Sequence, residues 1–372
     1  MAKDRLVVAQ LVSDFVVGGI ERNIRFMAGP MAERGIDFVL ISLNDNIDPG
    51  PELKAVGTPG YGLSSDWKPI RYPALPPKSV ASRLLTAKAN HPIQLVHAHH
   101  YSAIAAAPMV ASRLGVPYLA THHATDERWQ TDPGWRMIAL RRYMKDAFLN
   151  SKKVLCWTQA VVDDVTKICG HVLPQAEIVE LPIEDRYFAA SNPGAVRDID
   201  VVMVGRLAPQ KNVLFALRVF AALRTRRPSL RVVLLGGGPS ESAVRTEVAS
   251  LKLGDSVEVL GNVPPDEVLS TLNRSKIQYM PSLFEGLSAA FIEAMATGLD
   301  TVVSDIPSFR APFKAASGLY FVDPRDLQGN VDTLDQAISA YQFRPRPELR
   351  ERFNQATYCD RIEATYRSIV AG

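Results

Sequence analysis

Two glutamates stand eight residues apart in a stretch rich in turn formers. It reads Pro281-Ser282-Leu283-Phe284-Glu285-Gly286-Leu287-Ser288 and, after a short apolar run, Glu293-Ala294-Met295-Ala296-Thr297-Gly298. A helix starting near Ser288 leaves Glu285 in the preceding loop and puts Glu293 about one turn inside. Both carboxylates could then face one cleft, with helix N–H groups between them. A carboxylate accepts two hydrogen bonds in a fixed plane, which suits sugar and ribose hydroxyls. The plainer alternative is one helix-capping and one surface glutamate.

Cations gather in Gly205-Arg206-Leu207-Ala208-Pro209-Gln210-Lys211-Asn212. A guanidinium fork and a point-charge ammonium five residues apart in one loop can clamp two phosphates. A solvated basic loop is the other reading. Gly236-Gly237-Gly238-Pro239 reads as a further loop that a ligand could approach. Gly18-Gly19-Ile20-Glu21 stands between a strand and a helix, where two glycines and a helix N-terminus suit a phosphate. A tight turn explains the same residues, and the pattern is neither a dinucleotide fingerprint nor a P-loop.

Five of the seven histidines follow two neighbouring strands: His97, His99 and His100 after one, His122 and His123 after the next. They lack the acidic or cysteine complement and the helical spacing of a zinc site. A hydrogen-bonding wall facing substrate hydroxyls is the functional reading, and strand-end histidines without a role the bland one.

The elements that must position these groups alternate between short β-branched runs and helical patterns. Strands are expected at 6–12, 37–43, 94–98, 117–121, 154–157 and 178–181, with a helix over 20–34 that Pro30 weakens. Turn residues at Ser191-Asn192-Pro193-Gly194 break the series. A second series has strands at 199–205, 230–235, 256–260, 277–280, 301–304 and 319–322, and helices at 213–225, 240–251, 265–273 and 288–297. Apolar runs between helices mean parallel strands covered on both faces. The expectation is an α/β chain of two doubly wound domains, 1–190 and 191–350. A linker falls near 186–197; the tail is helical in pattern over 349–370, and a C-terminal helix at 351–372 is expected to pack back on the first domain. Ligands in such sheets sit at the carboxyl ends of the strands, where these motifs fall.

The chain has 372 residues, 47% of them hydrophobic and 22% charged, which suits folded domains rather than disorder. Its net charge of +3 argues against a nucleic-acid binder. Three cysteines without metal spacing argue against a disulfide framework or a cysteine zinc site, and fit a reducing compartment. The first apolar run is broken by Gln10, Ser13 and Asp14, unlike a signal peptide. No stretch approaches the roughly 20 apolar residues of a bilayer span. The expected location is cytoplasmic, with peripheral contact at the inner face of a membrane left open. Oligomeric state is not encoded in any motif.

Taken together and in order, these segments resemble the retaining glycosyltransferases of family 4, which have the GT-B fold: two Rossmann-like domains facing a central cleft. Glu285 to Glu293 matches that family's E-x7-E motif, and Gly205-Arg206 with Lys211 its donor-diphosphate motif. Gly18-Gly19 with Glu21 matches its N-terminal glycine motif, His97-Ala98-His99 its His-x-His segment, and Thr121-His122-His123 its Thr-x-His segment. The resemblance implies an N-terminal acceptor-side domain and a C-terminal nucleotide-sugar domain. It assigns Arg206 and Lys211 to the donor diphosphate, Gly18 and Gly19 to the same phosphates, and Glu293 to the ribose. Glu285 and the backbone of Gly286, Leu287 and Ser288 would hold the transferred sugar, His123 would lie at the reacting centre, and Asn262-Val263 would meet the base. His97, His99, His100 and His122 would stand on the acceptor side. The chain departs from the family at Leu181–Asp185, at Leu287 and at Leu299-Asp300-Thr301.

The implied activity is retaining transfer of a hexose from a UDP- or GDP-sugar to a sugar, glycolipid or other hydroxyl acceptor, as in glycan or cell-envelope polysaccharide synthesis. No metal or other cofactor is required on this reading, and Asp198-Ile199-Asp200 reads as a solvated strand start rather than a metal-binding pair. A nucleotide-sugar epimerase of the same fold and a non-catalytic carbohydrate-binding protein are the alternatives. Arg136, Arg141, Arg142, Lys145, Lys152 and Lys153 lie near Trp129 and Trp135. With the stripe Met137, Leu140, Met144 and Phe148 they suggest either an interfacial helix or a core helix with a basic outer face.

Overall fold

Continuous apolar runs make the central strands. The computed structural model describes residues 5–15, 19–45, 47–63, 78–123, 134–189, 194–313 and 316–372, which divide into two units, 1–182 with 355–372 and 183–354. The first sheet contains β1 (Leu6–Val12), β2 (Ile36–Ser42), β3 (Gly60–Gly62), β4 (Ile93–His99), β5 (Tyr118–His122), β6 (Val154–Cys156) and β7 (Ala176–Ile178). The second contains β8 (Ile199–Val204), β9 (Val232–Leu235), β10 (Val257–Gly261), β11 (Ser275–Met280), β12 (Asp300–Ser304) and β13 (Leu319–Val322). Strand order is β3-β2-β1-β4-β5-β6-β7 in one and β10-β9-β8-β11-β12-β13 in the other. The paired strands run parallel in both.

Parity along each strand divides the first unit's core in two. Val7, Ala9 and Leu11 face a cluster with Val96, Ala98, Ala120 and Cys156. Leu6, Val8 and Val12 face the opposite way, with Leu95, Leu119 and Leu155, against Tyr358, Ile362 and Tyr366 of the C-terminal helix Gln355–Ala371. The helix Gly19–Glu33 joins this second layer through Ile24, Met27 and Met31. Pro30 does not end it. Proline has no N–H for the carbonyl four residues back, and the Gln355 side chain donates to that carbonyl, Phe26 O, at 3.0 Å.

The domain boundary differs from the expected one. Ile183 bonds to Phe353 O at 3.0 Å, and Tyr187 is buried in the short helix Asp185–Ala189, so residues expected in a linker belong to the second unit. The tail is not one helix. Pro347–Arg352 stays in the second unit, where buried Phe353 lies near Phe313, and Gln355–Ala371 begins the return to the first. The strand expected at 178–181 is β7 at Ala176–Ile178, and β3 was not expected, being glycine-rich and three residues long.

The helix Trp135–Asn150 buries Leu140, Met144, Ala147 and Phe148 in the core and leaves Trp135 and Ile138 exposed. Most of the apolar stripe read from the sequence is therefore core, and Trp129 lies outside the described residues. Asp198 pairs with Arg231 and Arg274, and Asp200 with Lys276. Hydrogen bonding from Arg274 brings the Asp198 carboxyl down to about 2. Among the described residues, no helix is long and apolar enough to cross a membrane, and no three His, Cys, Asp or Glu side chains are grouped to hold a metal ion.

Candidate active site

Chain order reverses between β8 and β11 in the second sheet, and between β1 and β4 in the first. Loops leaving two such strands diverge, and the gap at their carboxyl ends is where doubly wound sheets hold ligands. The motif loops of the second unit, Gly205–Asn212 and Pro281–Ser288, leave this pair of strands.

The two loops are tied together. Leu283 N donates to Gln210 O at 2.8 Å, and Gln210 Nε2 returns a bond to Phe284 O at 2.8 Å. Lys211 Nζ meets Glu285 Oε1 at 2.5 Å, with only 17% and 8% of the two side chains exposed. Ser308 Oγ holds the Glu285 carbonyl at 2.6 Å. Pro209–Lys211 forms a single 3-10 turn, and Asn212 takes a left-handed conformation at φ 57° while its Nδ2 bonds Pro324 O at 2.9 Å. This geometry swings the chain into the helix Val213–Arg226. Arg206 is exposed. Glu293 is buried in the second turn of the helix Ala289–Ala296, whose C-terminal carbonyl at Met295 accepts from buried Arg346 at 3.0 Å.

The glycines at 236–238 serve loop packing. Gly236 at φ 128° would drive a Cβ into the Gly205 carbonyl, and Gly238 at φ 153° into the backbone of Leu207. Leu207 N bonds Gly237 O at 2.9 Å, and Gly237 N bonds the Asn262 side-chain oxygen at 2.7 Å. The sequence suggested an approaching ligand here. What approaches in the structure is the loop bearing Arg206.

In the first unit, parity puts Gln10, His97, His99, Thr121 and His123 on the sheet face covered by Gln355–Ala371. Gln10 Nε2 donates to Tyr366 Oη at 3.2 Å, and Gln10 Oε1 meets His99 Nε2 at 2.8 Å. His99 Nδ1 lies 3.1 Å from His123 Nε2. His97 spans Tyr366 Oη and Thr121 Oγ1, both at 2.6 Å. Burial holds the His97 and His123 imidazoles well below their ordinary value and brings His99 down to about 3, with neighbouring histidine charge adding to each. These rings are therefore neutral at pH 7. His123 meets Trp157 edge-on at 4.4 Å. Its Nδ1 and the Trp157 Nε1 are buried without a hydrogen-bond partner among the described residues.

Two family models match successive parts of the chain. Residues 17–183 match "Glycosyltransferase Family 4" and residues 188–359 match "Glycosyl transferases group 1". The chain is a family 4 glycosyltransferase of the GT-B type. It is 22% identical to glycogen synthase of Mycobacterium tuberculosis over 87% of its own length and 83% of that enzyme. It is 25% identical to D-inositol 3-phosphate glycosyltransferase of Corynebacterium urealyticum, over 91% of its own length and 85% of that enzyme. Among solved structures, sucrose-phosphate synthase from Thermosynechococcus elongatus superposes with a TM-score of 0.77 at 15% identity, covering 99% of this chain and 100% of that one. Anabaena HepE in complex with UDP-glucose superposes with a TM-score of 0.78 at 15% identity, covering 98% and 100%.

In this glycosyltransferase the expected site residues do not all stay together. Lys211, Glu285, Gly286, Leu287 and Ser288 lie on the two tied loops, and Glu293 follows in the adjoining helix. Asn262 and Val263 follow β10, with the Asn262 side chain engaged by Gly237. Gly19 opens the helix Gly19–Glu33, and a Cβ there would meet nothing within 4 Å. Gly18 lies outside the described residues. The histidine wall separates. His122, one residue out of phase with His123, points to the opposite sheet face and bonds buried Asp164 at 3.0 Å. His97 and His99 spend both ring nitrogens on internal partners, so burial and bonding remove them from the acceptor side. His100 takes φ 68° before the helix Tyr101–Leu114. Sequence reasoning missed Gln10, Gln210, Trp157, Asp164 and Tyr366. Period-2 alternation could have aligned Gln10 with the odd-numbered histidines' sheet layer, but Tyr366 had no local signal.

Proposed function

We propose that this glycosyltransferase moves a hexose from a nucleoside-diphosphate sugar, UDP- or GDP-linked, to a hydroxyl of a sugar or glycolipid, with retention at the anomeric carbon. The observation that carries the donor assignment is the Lys211–Glu285 pair, locked by Gln210 at the strand reversal of the second sheet. The complex of HepE with UDP-glucose supports the same donor class.

Breaking the anomeric C–O bond leaves negative charge on the diphosphate. Arg206 and the Lys211 ammonium lower the barrier by meeting that charge. Glu285 and the start of the helix Ala289–Ala296 hold the sugar hydroxyls and Glu293 the ribose; on the first unit, neutral His123 is the residue the family motif assigns to the reaction. Among the described residues no carboxylate is assigned as a glycosidase-type nucleophile, and on this reading the acceptor oxygen enters on the face the diphosphate leaves. Its proton passes to the departing phosphate oxygen. No metal enters this scheme.

Calorimetry with UDP, GDP and ADP tests the reading, followed by transfer assays with the matching sugars and determination of the product's anomeric configuration. Micromolar binding of one nucleotide is expected, weakened in Arg206→Ala and in Lys211→Ala. Unchanged affinity in both variants removes the diphosphate assignment, and an inverted product removes retention.

A further inference from the structure

We propose that the outer face of the helix Trp135–Asn150 is a docking surface for an anionic lipid bilayer, seated flat on the headgroups beside the carboxyl edge of the first sheet. That this surface brings a lipid-borne acceptor to the enzyme rests on the glycosyl-transfer reading above. That it binds a bilayer does not.

The helix has two apolar faces. Leu140, Met144, Ala147 and Phe148 point into the core. About 150° around the axis run Trp135, Ile138, Arg142, Lys145 and Leu149, spaced alternately by three and four and held within about 100° of the circumference. All five are exposed, the apolar three by 57%, 54% and 41% in chain order. Exposed apolar residues standing singly are ordinary on a protein surface. Three on one stripe, with a guanidinium and an ammonium between them, are the pattern of a helix that lies in a membrane interface. Arg136 adds another exposed cation, its guanidinium 5.5 Å from the centre of the Trp135 ring. Asp146, the anion on this face, takes a bond from Asn150 Nδ2 at 3.1 Å. A Cβ built at Gly170 would stand 3.9 Å from the Lys145 ammonium, which places the turn leading to Val172, 69% exposed, beside the same helix.

Charge and dimensions choose the occupant. The stems of Arg142 and Lys145 can lie along apolar surface with their charges at the level of lipid phosphates, and an indole settles at that same depth. From Trp135 to Leu149 the stripe is about 21 Å long and roughly 10 Å wide. That is about a quarter of the ~800 Å² that each partner gives to a stable protein contact. A second copy of the chain would moreover set these cations against themselves. A bilayer needs only one helix seated on it. Position agrees with this use. The helix runs back toward β6, which starts at Val154, so Trp135 and Ile138 stand at the carboxyl edge of the sheet, the edge at which doubly wound sheets take ligands.

Co-sedimentation of the full chain with vesicles tests the proposal, one set made of phosphatidylglycerol and phosphatidylcholine in equal parts and the other of phosphatidylcholine alone. The chain is expected to bind the first set, less as salt rises, and to leave the second in solution. Arg142→Ala/Lys145→Ala should lower partitioning onto the anionic vesicles about 30-fold, equivalent to about 2 kcal/mol for two cations. Ile138→Ser should lower it about tenfold. These side chains lie outside the core and outside the donor loops, so thermal unfolding and nucleotide affinity should match the wild type. Brominated phosphatidylcholine in the anionic vesicles should quench tryptophan fluorescence, and Trp135→Phe should remove that quenching. Absence of binding to either set, or equal binding by the wild type and the double variant, overturns the proposal. Equal binding to both sets overturns the anionic assignment. Self-association that Ile138→Ser abolishes, without vesicle binding, gives the face to a second copy instead. Vesicle binding through this face by a chain that binds no nucleotide upholds the surface and overturns glycosyl transfer, whereas sugar transfer by a chain that ignores vesicles does the reverse.

Discussion

Replacing Lys211 by methionine keeps the aliphatic stem and removes the ammonium, and its consequences for stability and for binding can be worked separately. Glu285, 8% exposed, then carries its charge without the cation that stood 2.5 Å away. Removing one partner of a buried pair costs about 3–5 kcal/mol. Lys211 keeps 17% of its side chain in water, which screens part of that, so about 2–3 kcal/mol is expected. For a unit of this size that lowers the melting temperature by about 4–12 °C. The double variant Lys211→Met/Glu285→Gln removes both charges and should recover most of the loss. Binding separates the roles further. Lys211→Met loses a charged hydrogen bond to phosphate, about 1.5–3 kcal/mol, so the Kd for UDP or GDP should rise about 10- to 150-fold. Glu285→Gln has the opposite sign: it frees Lys211 and withdraws a negative charge, so the nucleotide alone should bind about fivefold tighter if opening the pair costs ~1 kcal/mol. Sugar transfer by Glu285→Gln should fall nonetheless. Calorimetry on the four proteins, paired with thermal unfolding, checks this. Wild-type affinity in Lys211→Met, or equal weakening in both single variants, refutes the idea that Glu285 and a diphosphate compete for one ammonium.

Gln210→Leu cuts the bond to Phe284 O and should reduce kcat/KM about tenfold while costing only about 1 kcal/mol of stability. Asp164→Asn should cost about 1–3 kcal/mol in denaturant unfolding and leave the donor KM unchanged, because the His122 it holds faces away from the histidine chain. Burial pushes the Asp300 carboxyl up from 3.8 to about 6 against the pull of Arg344 and Arg346. A folded-state value above the unfolded one stabilises the protein below pH 3.8, and that gain is lost as pH rises through about 6, roughly 3 kcal/mol over the interval. Asp300→Asn should flatten this part of the stability curve, measured by urea unfolding between pH 4 and 7 (bracketing the two values).

Local physics determined much of this protein. Apolar runs too short for helices gave the strands, such as Leu6–Val12 and Ile199–Val204, and glycine and helix-start chemistry after β8 and β11 marked the two motif loops. Each of these signals is confined to a dozen residues, so it is legible in one dimension. Tertiary structure decided whatever depends on which side of a sheet a side chain takes or on partners far along the chain. One residue of phase sent His122 to Asp164 and His123 to His99. Tyr366 meets Gln10 across 356 positions of sequence. Gly236 to Gly238 were read as room for a ligand, yet they make room for the neighbouring loop. Residue type fixes what a group can donate or accept, and only packing fixes what it is given to bond, because burial withdraws the water that would otherwise satisfy it.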